Sequence, residues 1–505
     1  MALDTTVAGD VAPMGIPGLD DILRGGLPRN RLYLVQGDPG SGKTTLGLQF
    51  LMEGQRRGEK GIYISLSETR EEIESVAKSH GWSLDGLDLL EATAGEQQLV
   101  LNDEENTLFE PSEVELRELV QKLFSEIERS KASRVVLDSL SEMRLLSQSA
   151  LRYRRHVLAF KQFFARRAST VLLLDDRTTA DDDRQLQSLA HGVLALESHP
   201  LDFGSDRRRV RVVKLRGVSP RGGHHEMIIQ RGGLRVFPRL VAAEHRGTAS
   251  RGKLSSGVEE LDSLVGGGID RGTATLVMGP AGSGKSTLAL RYAISAAQRG
   301  EKVAMFAFDE RPETLLARLD SLGLEIRPFL ESGLIDLRPI DPAEMGPGEF
   351  TARVRQCVSE SDVRLVVVDS LNGYMNAMPE ERALAIQLHE LLTYLTHLGV
   401  SSFLVMAQHG LVGQGLTTPI DISYLADTVL LLRYFEAEGR VRKAISVVKK
   451  RSGAHEQTIR EFRVGAPGGV VIGAPLSAFQ GVLNGTPQFV GDAAHLLGAR
   501  DRSTA

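Results

Sequence analysis

The sequence predicts an α/β fold: two tandem domains, each a doubly wound, mostly parallel sheet with helices on both faces. Three observations carry this expectation. The first half of the chain recurs in the second, short β-branched runs alternate with helical patterns in each half, and both halves carry a glycine-rich loop between a strand and a helix. Such alternation builds parallel sheets covered on both faces, with ligands at the C-terminal strand ends.

At 505 residues the chain is too long for one compact core and fits two domains. "GIPGLDDILRGGLPRNRLYLVQGDPGSGKTTLGLQF" (15–50) lies over "GVEELDSLVGGGIDRGTATLVMGPAGSGKSTLALRY" (257–292) without a gap, so that Lys43 matches Lys285 (285 − 43 = 242). "SRVVLDSLS" (133–141) matches "VRLVVVDSLN" (363–372), and "VRVVKLRG" (210–217) matches "AISVVKKRSG" (444–453). Order and spacing persist through most of each half, which marks a duplicated domain. The pattern gives an N-terminal domain over 1–240, a polar, Gly/Ser-containing linker over 241–254, a C-terminal domain over 255–475 and a tail over 476–505. "RLYLVQ", "GIYISL", "RVVLDS" and "STVLLLDD" read as buried strands; "TTLGLQFLMEGQRRG" and "REEIESVAKSHGW" read as helices. "RYRRHVLAFKQFFARR" (152–167) reads as a helix packed on the sheet or at a subunit contact.

Composition narrows the function. A net charge of −5 supplies no bulk basic field for nucleic acid or an anionic membrane. A single cysteine, Cys357, excludes an internal disulfide and a cysteine-based zinc knuckle. The adjacent His224 and His225 have no third ligand at suitable spacing. "MALDTTVAGDVAPMG" has neither Lys nor Arg, and no apolar run reaches membrane-spanning length, so a cytoplasmic protein is expected.

The two loops state the chemistry. Gly37, Asp38, Pro39, Gly40, Ser41, Gly42, Lys43, Thr44 and Thr45 satisfy G-x-x-x-x-G-K-[ST], as do Gly279, Pro280, Ala281, Gly282, Ser283, Gly284, Lys285, Ser286 and Thr287. Glycines let backbone N–H groups turn inward around phosphate oxygens, and the following helix N-terminus adds partial positive charge. Lys43 and Lys285 are placed for the β- and γ-phosphates of ATP, and the Thr44 and Ser286 hydroxyls for Mg²⁺. Two apolar strands end in Asp138 and Asp369, acids suited to hold the same ion. A further strand end supplies Glu68 in the first half and Asp309 with Glu310 in the second, candidates to orient or deprotonate water. The competing reading makes these acids caps of the helices that follow. Gln408 closes the strand "FLVMA" with a polar amide; the first half has "LLLDDRTT" there.

The lead-in, phosphate loop, carboxylate strand, "VVLDS/VVVDS" and "VVKLRG/VVKKRSG", all in tandem, resemble the KaiC family of clock ATPases within the RecA/RadA superfamily. The resemblance spans about residues 13–475; "HEQTIREFRV" (455–464) is similar to that family's second-half ending, and "FQGVLNGTPQF" to KaiC-type ATPases more widely, including many with no clock role. It implies two RecA-like domains in a homohexameric double ring, with ATP between subunits and Lys214, Arg216, Lys449 and Arg451 reaching a neighbour's γ-phosphate. It implies serine/threonine self-phosphorylation at Ser423, with Thr418 as the upstream hydroxyl; Tyr424 stands where the family carries threonine. It further implies a regulatory or timing switch acting through protein partners. Two other readings stay open: a DNA-dependent recombination or repair ATPase, which the acidic charge and absent zinc motif disfavour, and a scaffold held together by nucleotide.

Overall fold

The computed structural model describes residues 10–92, 111–147, 149–177, 186–247, 252–375, 381–408, 422–465, 468–483 and 486–491. The chain divides into two units, Met1–Arg239 and Leu240–Ala505.

The sheet of the first unit is built from β1 (Leu32–Gly37), β2 (Gly61–Ser65), β3 (Asp88–Glu91), β4 (Arg134–Asp138), β5 (Thr170–Asp176), β6 (Gly192–His199), β7 (Arg207–Leu215), β8 (His224–Gln230) and β9 (Gly233–Phe237). That of the second holds β10 (Ala274–Gly279), β11 (Lys302–Ala307), β12 (Ile335–Pro339), β13 (Val363–Asp369), β14 (Ser401–Ala407), β15 (Thr428–Ala437), β16 (Arg440–Lys450), β17 (Arg460–Gly465) and β18 (Gly469–Pro475). Spatial order is β3-β2-β4-β5-β1-β6-β7-β8-β9 in one and β12-β11-β13-β14-β10-β15-β16-β17-β18 in the other, the same topology twice. The strands from β3 to β6 run parallel, and β7 to β9 extend them antiparallel. Both sheets are therefore mostly parallel, as the alternation of strands and helices requires.

Strand periodicity sorts the core into two layers. Leu172 and Leu174 of β5 join the cluster under helix α1 (Lys43–Arg56) and helix α2 (Arg70–Ser79). Val171 and Leu173 point the other way, toward α3 (Pro111–Ser130) and α4 (Ala150–Ala165). The basic-apolar stretch 152–167 thus covers the sheet through Val157, Phe160 and Phe164, all buried. Helices α5 (Lys285–Gln298), α6 (Pro312–Ser321), α7 (Pro347–Ser361) and α8 (Glu381–His397) repeat the plan.

The segment between the units is more structured than its composition suggests. Leu240 and Ala242 lie in the second unit's core, the Ala242 N–H donates to Glu390 (2.8 Å), and Lys253–Leu254 pairs with Ile269–Asp270. Of the expected tail, Phe479–Gln480 and Gln488–Phe489 form a hairpin whose Phe479 packs on Phe435; "GARDRSTA" lies outside the described residues. No helix among the described residues is long and apolar enough to cross a membrane.

One buried cation separates the copies. Arg134 on β4 is fully buried, donates to Glu59 (2.6 Å), Pro13 O (2.6 Å) and Phe50 O (2.8 Å), and lies over the Phe50 ring. Gly54 in mid-helix lets it pass, since a Cβ there would come within 2.5 Å of the arginine. The second unit places Ala296 and Leu365 at these positions. Burial alone would raise the Glu59 pKa, but hydrogen bonds from Arg29 and Arg134 outweigh it and hold the carboxyl at about 2. Its folded pKa lies below the unfolded value, so its stabilisation is present above about pH 4.5 and is lost as pH falls toward 2. Arg134→Leu alone leaves Glu59 with Arg29 only and strands two carbonyls; we expect a loss of about 2–4 kcal/mol at pH 7, read by urea denaturation, and a shallower acid decline.

Candidate active sites

Each phosphate loop leaves the central strand of its sheet and enters a helix. Gly40 and Gly42 adopt φ values of 75° and 99°, and Gly282 and Gly284 values of 72° and 103°, a region that side chains disfavour. A Cβ on Gly42 would lie 2.9 Å from Ile229, and one on Gly284 2.7 Å from Phe462. The loops are held close by antiparallel strands behind them. The Ser41 and Ser283 hydroxyls are buried and lack hydrogen-bond partners, as a loop built around an absent anion would leave them.

In the first unit Lys43 Nζ donates to Gly37 O (2.8 Å) and Asp38 O (3.0 Å) and pairs with Asp176 (2.8 Å). Thr44 Oγ1 donates to Asp138 Oδ2 (2.9 Å), which also accepts from the Tyr63 hydroxyl. Burial raises the Asp138 pKa, against the Tyr63 and Thr44 hydrogen bonds and Lys43. Glu68 lies near Asp138; its Oε2 is buried without a partner, and its pKa is raised first by burial, then by Asp138 and Glu72. The cap of α2 belongs to Thr69 and Glu72, whose side chains and backbones bond reciprocally, so Glu68 stands outside the capping box. Ser67 is exposed.

The second pocket is a cavity of about 220 Å³ whose lining includes Ala281, Lys285, Ser286, Asp309, Glu310 and Asp369. Lys285 Nζ donates to Pro280 O (2.7 Å), and burial lowers its pKa to about 8, against the opposing pull of Asp369 and Asp309. Burial raises Asp369, while a hydrogen bond from Ser286 draws it down. Asp309 accepts from the Ser370 hydroxyl. Arg318 grips Glu310 through Nη2 (2.7 Å) and Nε (3.2 Å), and its Nη1 donates to Thr287 Oγ1 (3.1 Å). Gln408 follows β14 beside the loop: its N–H donates to Gly279 O (3.0 Å), and its Oε1 is buried without a partner.

Each pocket gathers one strand-end aspartate and one hydroxyl. That pair suits Mg²⁺, which takes one or two carboxylates and completes its shell with phosphate and water. Among the described residues, no group of three His, Cys, Asp or Glu is placed to hold a metal by itself.

The cationic pairs are not brought to these pockets. In β6, Gly192 opposes Tyr33 at the start of β1 and Leu196 opposes Gly37 at its end. Lys214 opposes Val193, three residues from Leu196, so it lies at the sheet end away from its own loop, about 10 Å along the strand. There Lys214 Nζ donates to Gln187 O (2.6 Å) and Arg216 to Ser188 O (3.3 Å). In the second unit Lys449 donates to Ser423 O (2.8 Å), and Arg451 to Tyr424 O (2.6 Å) and Asp427 (3.3 Å). Lys449 opposes Val429 near the start of β15, again the far end. Ser423 shares that end and is not placed beside Asp309 or Glu310 of its own unit. Thr418 lies outside the described residues.

Sequence reasoning missed Asp176 and Arg318. The doublet in "LLLDDRTT" offered a signal for the first, being a charged pair closing a strand beside the loop. For the second there was no helical register to read: Glu310 lies in the turn before Pro312–Ser321, and Arg318 reaches back to it from that helix.

Comparison with known proteins agrees with this geometry. A family model described as the KaiC ATPase matches residues 12–241 and 254–477. The chain is 28% identical to the circadian clock protein KaiC2 of a Synechocystis strain over 482 residues, covering 94% of this chain and 83% of that protein. It is 26% identical to KaiC3 of the same organism over 489 residues, 94% of each chain. With the circadian clock oscillator protein KaiC of Thermosynechococcus vestitus it shares 28% identity over 487 residues, 94% of this chain and 91% of the other. Two phosphate loops on duplicated sheets, matched by the family in both halves, show that this chain belongs to the KaiC ATPase family.

Proposed function

We propose that the chain is an ATPase working as a closed head-to-tail ring, a homohexamer, in the cytoplasm, with ATP between neighbouring subunits in both tiers. The observation that carries this reading is the placement of Lys214, Arg216, Lys449 and Arg451 at the sheet end opposite their own loops. From there they can serve only another subunit's phosphates. A head-to-tail contact joins unlike surfaces and closes when the rotation permits.

Within a pocket, Lys43 or Lys285 leaves its carbonyl partners to neutralise β- and γ-phosphate oxygens. Thr44 with Asp138, and Ser286 with Asp369, would hold Mg²⁺, which when bound shields phosphate charge. Glu68 and Glu310 orient the attacking water and accept its proton; burial favours proton uptake by Glu68. The neighbour's arginine meets the charge that develops on the transferring group. Ser423, at the same far end as Lys449, would meet the γ-phosphate of a neighbour's second pocket, so self-phosphorylation passes between subunits. A nucleotide-dependent ring of this kind serves as a regulatory or timing switch read by protein partners.

The test mixes two inactive chains. Arg451→Ala lacks the arm, and Lys285→Ala lacks the loop lysine. With Glu68→Gln in both to silence the first tier, mixed assemblies should regain ADP release at interfaces that pair an intact arm with an intact loop. Mass measurement should show assembly only with nucleotide. ADP release from a monomer at saturating ATP sinks the reading.

A further inference from the structure

We infer that Arg318 is a positioning residue of the second pocket, a latch that engages both oxygens of Glu310 and so sets turnover there below that of the first pocket. The inference rests on the reading of Glu68 and Glu310 as the water-orienting carboxylates, and it adds how the two copies divide the work.

The contact is specific in geometry. Nε faces Glu310 Oε1 at 3.2 Å and Nη2 faces Oε2 at 2.7 Å, a two-point fork that fixes the carboxylate plane as well as its charge. The third arm of the guanidinium reaches Thr287 Oγ1 at 3.1 Å, one residue beyond the hydroxyl that bonds Asp369. Arg318 therefore ties Glu310 to the first turn of the helix that follows the phosphate loop. The pair is partly covered, with side chains 31% and 29% exposed, so solvent screens it only in part.

The first unit lacks the device. The position eight residues after Glu68 is Val76, which packs against the apolar layer under the sheet. Glu68 Oε2 is buried and has no hydrogen-bond partner. Thr45, equivalent to Thr287, instead approaches His80 Nε2 at 3.3 Å. One glutamate is thus open toward its pocket, while its twin is clasped. A carboxylate held at both oxygens by a guanidinium must surrender that contact before it can turn to water.

The experiment uses the full chain with Glu68→Gln, so that ADP release reports the second pocket alone. Adding Arg318→Val should raise kcat about tenfold with little change in KM. The reciprocal change, Val76→Arg in a chain whose second pocket carries Glu310→Gln, should slow the first pocket by a similar factor. It decides the matter even if the valine variant folds poorly. An unchanged or slower kcat in Arg318→Val overturns the latch, as does Val76→Arg without effect. Glu310→Gln, added to Glu68→Gln alone, separates the two ideas. If residual turnover survives it, the carboxylate reading itself has failed; if turnover vanishes while Arg318→Val does not accelerate, only the latch has.

Discussion

A chain carrying Glu68→Gln is expected to release ADP from its first pocket about 10²–10⁴-fold more slowly than the unmodified chain. The amide keeps the shape of the side chain and can still hydrogen-bond water, but it cannot take a proton. Glu68 is the residue for which this matters most. Its Oε2 is buried without a partner, and burial together with Asp138 and Glu72 raises its proton affinity. Nucleotide affinity should hardly move, because Lys43, Thr44 and the loop backbone are untouched. Single-turnover ADP release with the second pocket silenced by Lys285→Ala reads the effect directly. A fall of less than about fivefold would return Glu68 to a supporting role and point to another base.

The second large effect concerns binding. Lys43→Ala and Lys285→Ala should each remove one tightly held nucleotide per chain, counted after gel filtration, and together leave the protein as monomers. An ammonium that meets two phosphate groups gives charge-assisted bonds worth about 1.5–3 kcal/mol each, so affinity at the altered pocket should fall at least ~100-fold. The two losses should be unequal. In the first pocket Asp176 lies 2.8 Å from Lys43; without the lysine, an unpaired carboxylate faces the triphosphate. The second pocket has Ala407 at that position in the sheet, so no such repulsion arises. Lys43→Ala should therefore be the more damaging, and Asp176→Ala added to it should recover part of the difference. Equal losses would show that Asp176 turns away once nucleotide enters.

Much of the fold could be read because its signals are local. The strand before each loop, the loop glycines and the helix after them occupy one short run of chain, and β1 and α1 fall within two residues of their expected limits. Asp138 and Asp369 were equally legible, since an apolar strand can end in an acid only where something receives it. What sequence could not supply was contact between distant runs. The fork of Arg318 on Glu310 joins a turn residue to a helix residue eight positions on, a spacing that no helical register announces. The Lys43–Asp176 bond joins residues more than a hundred positions apart; the acidic doublet closing its strand hints at a partner but does not say which cation meets it. The cation pairs were legible as residues, but their remoteness from their own loops emerges only from the register of β6 with β7 and β15 with β16. At the ends of the second unit, composition did not show that Ala242 and Phe479 pack into apolar clusters.

Each nine-stranded sheet is drawn wholly from its own stretch of polypeptide; among the described residues neither borrows a strand from the other. The consequence is felt during synthesis. Every strand the early half needs has been translated before residue 240 and clears the ribosome while most of the later half is still to be made, so that half can finish first. For a duplicated gene product, whose halves resemble each other enough to exchange strands by mistake, this ordering in time keeps like from mispairing with like.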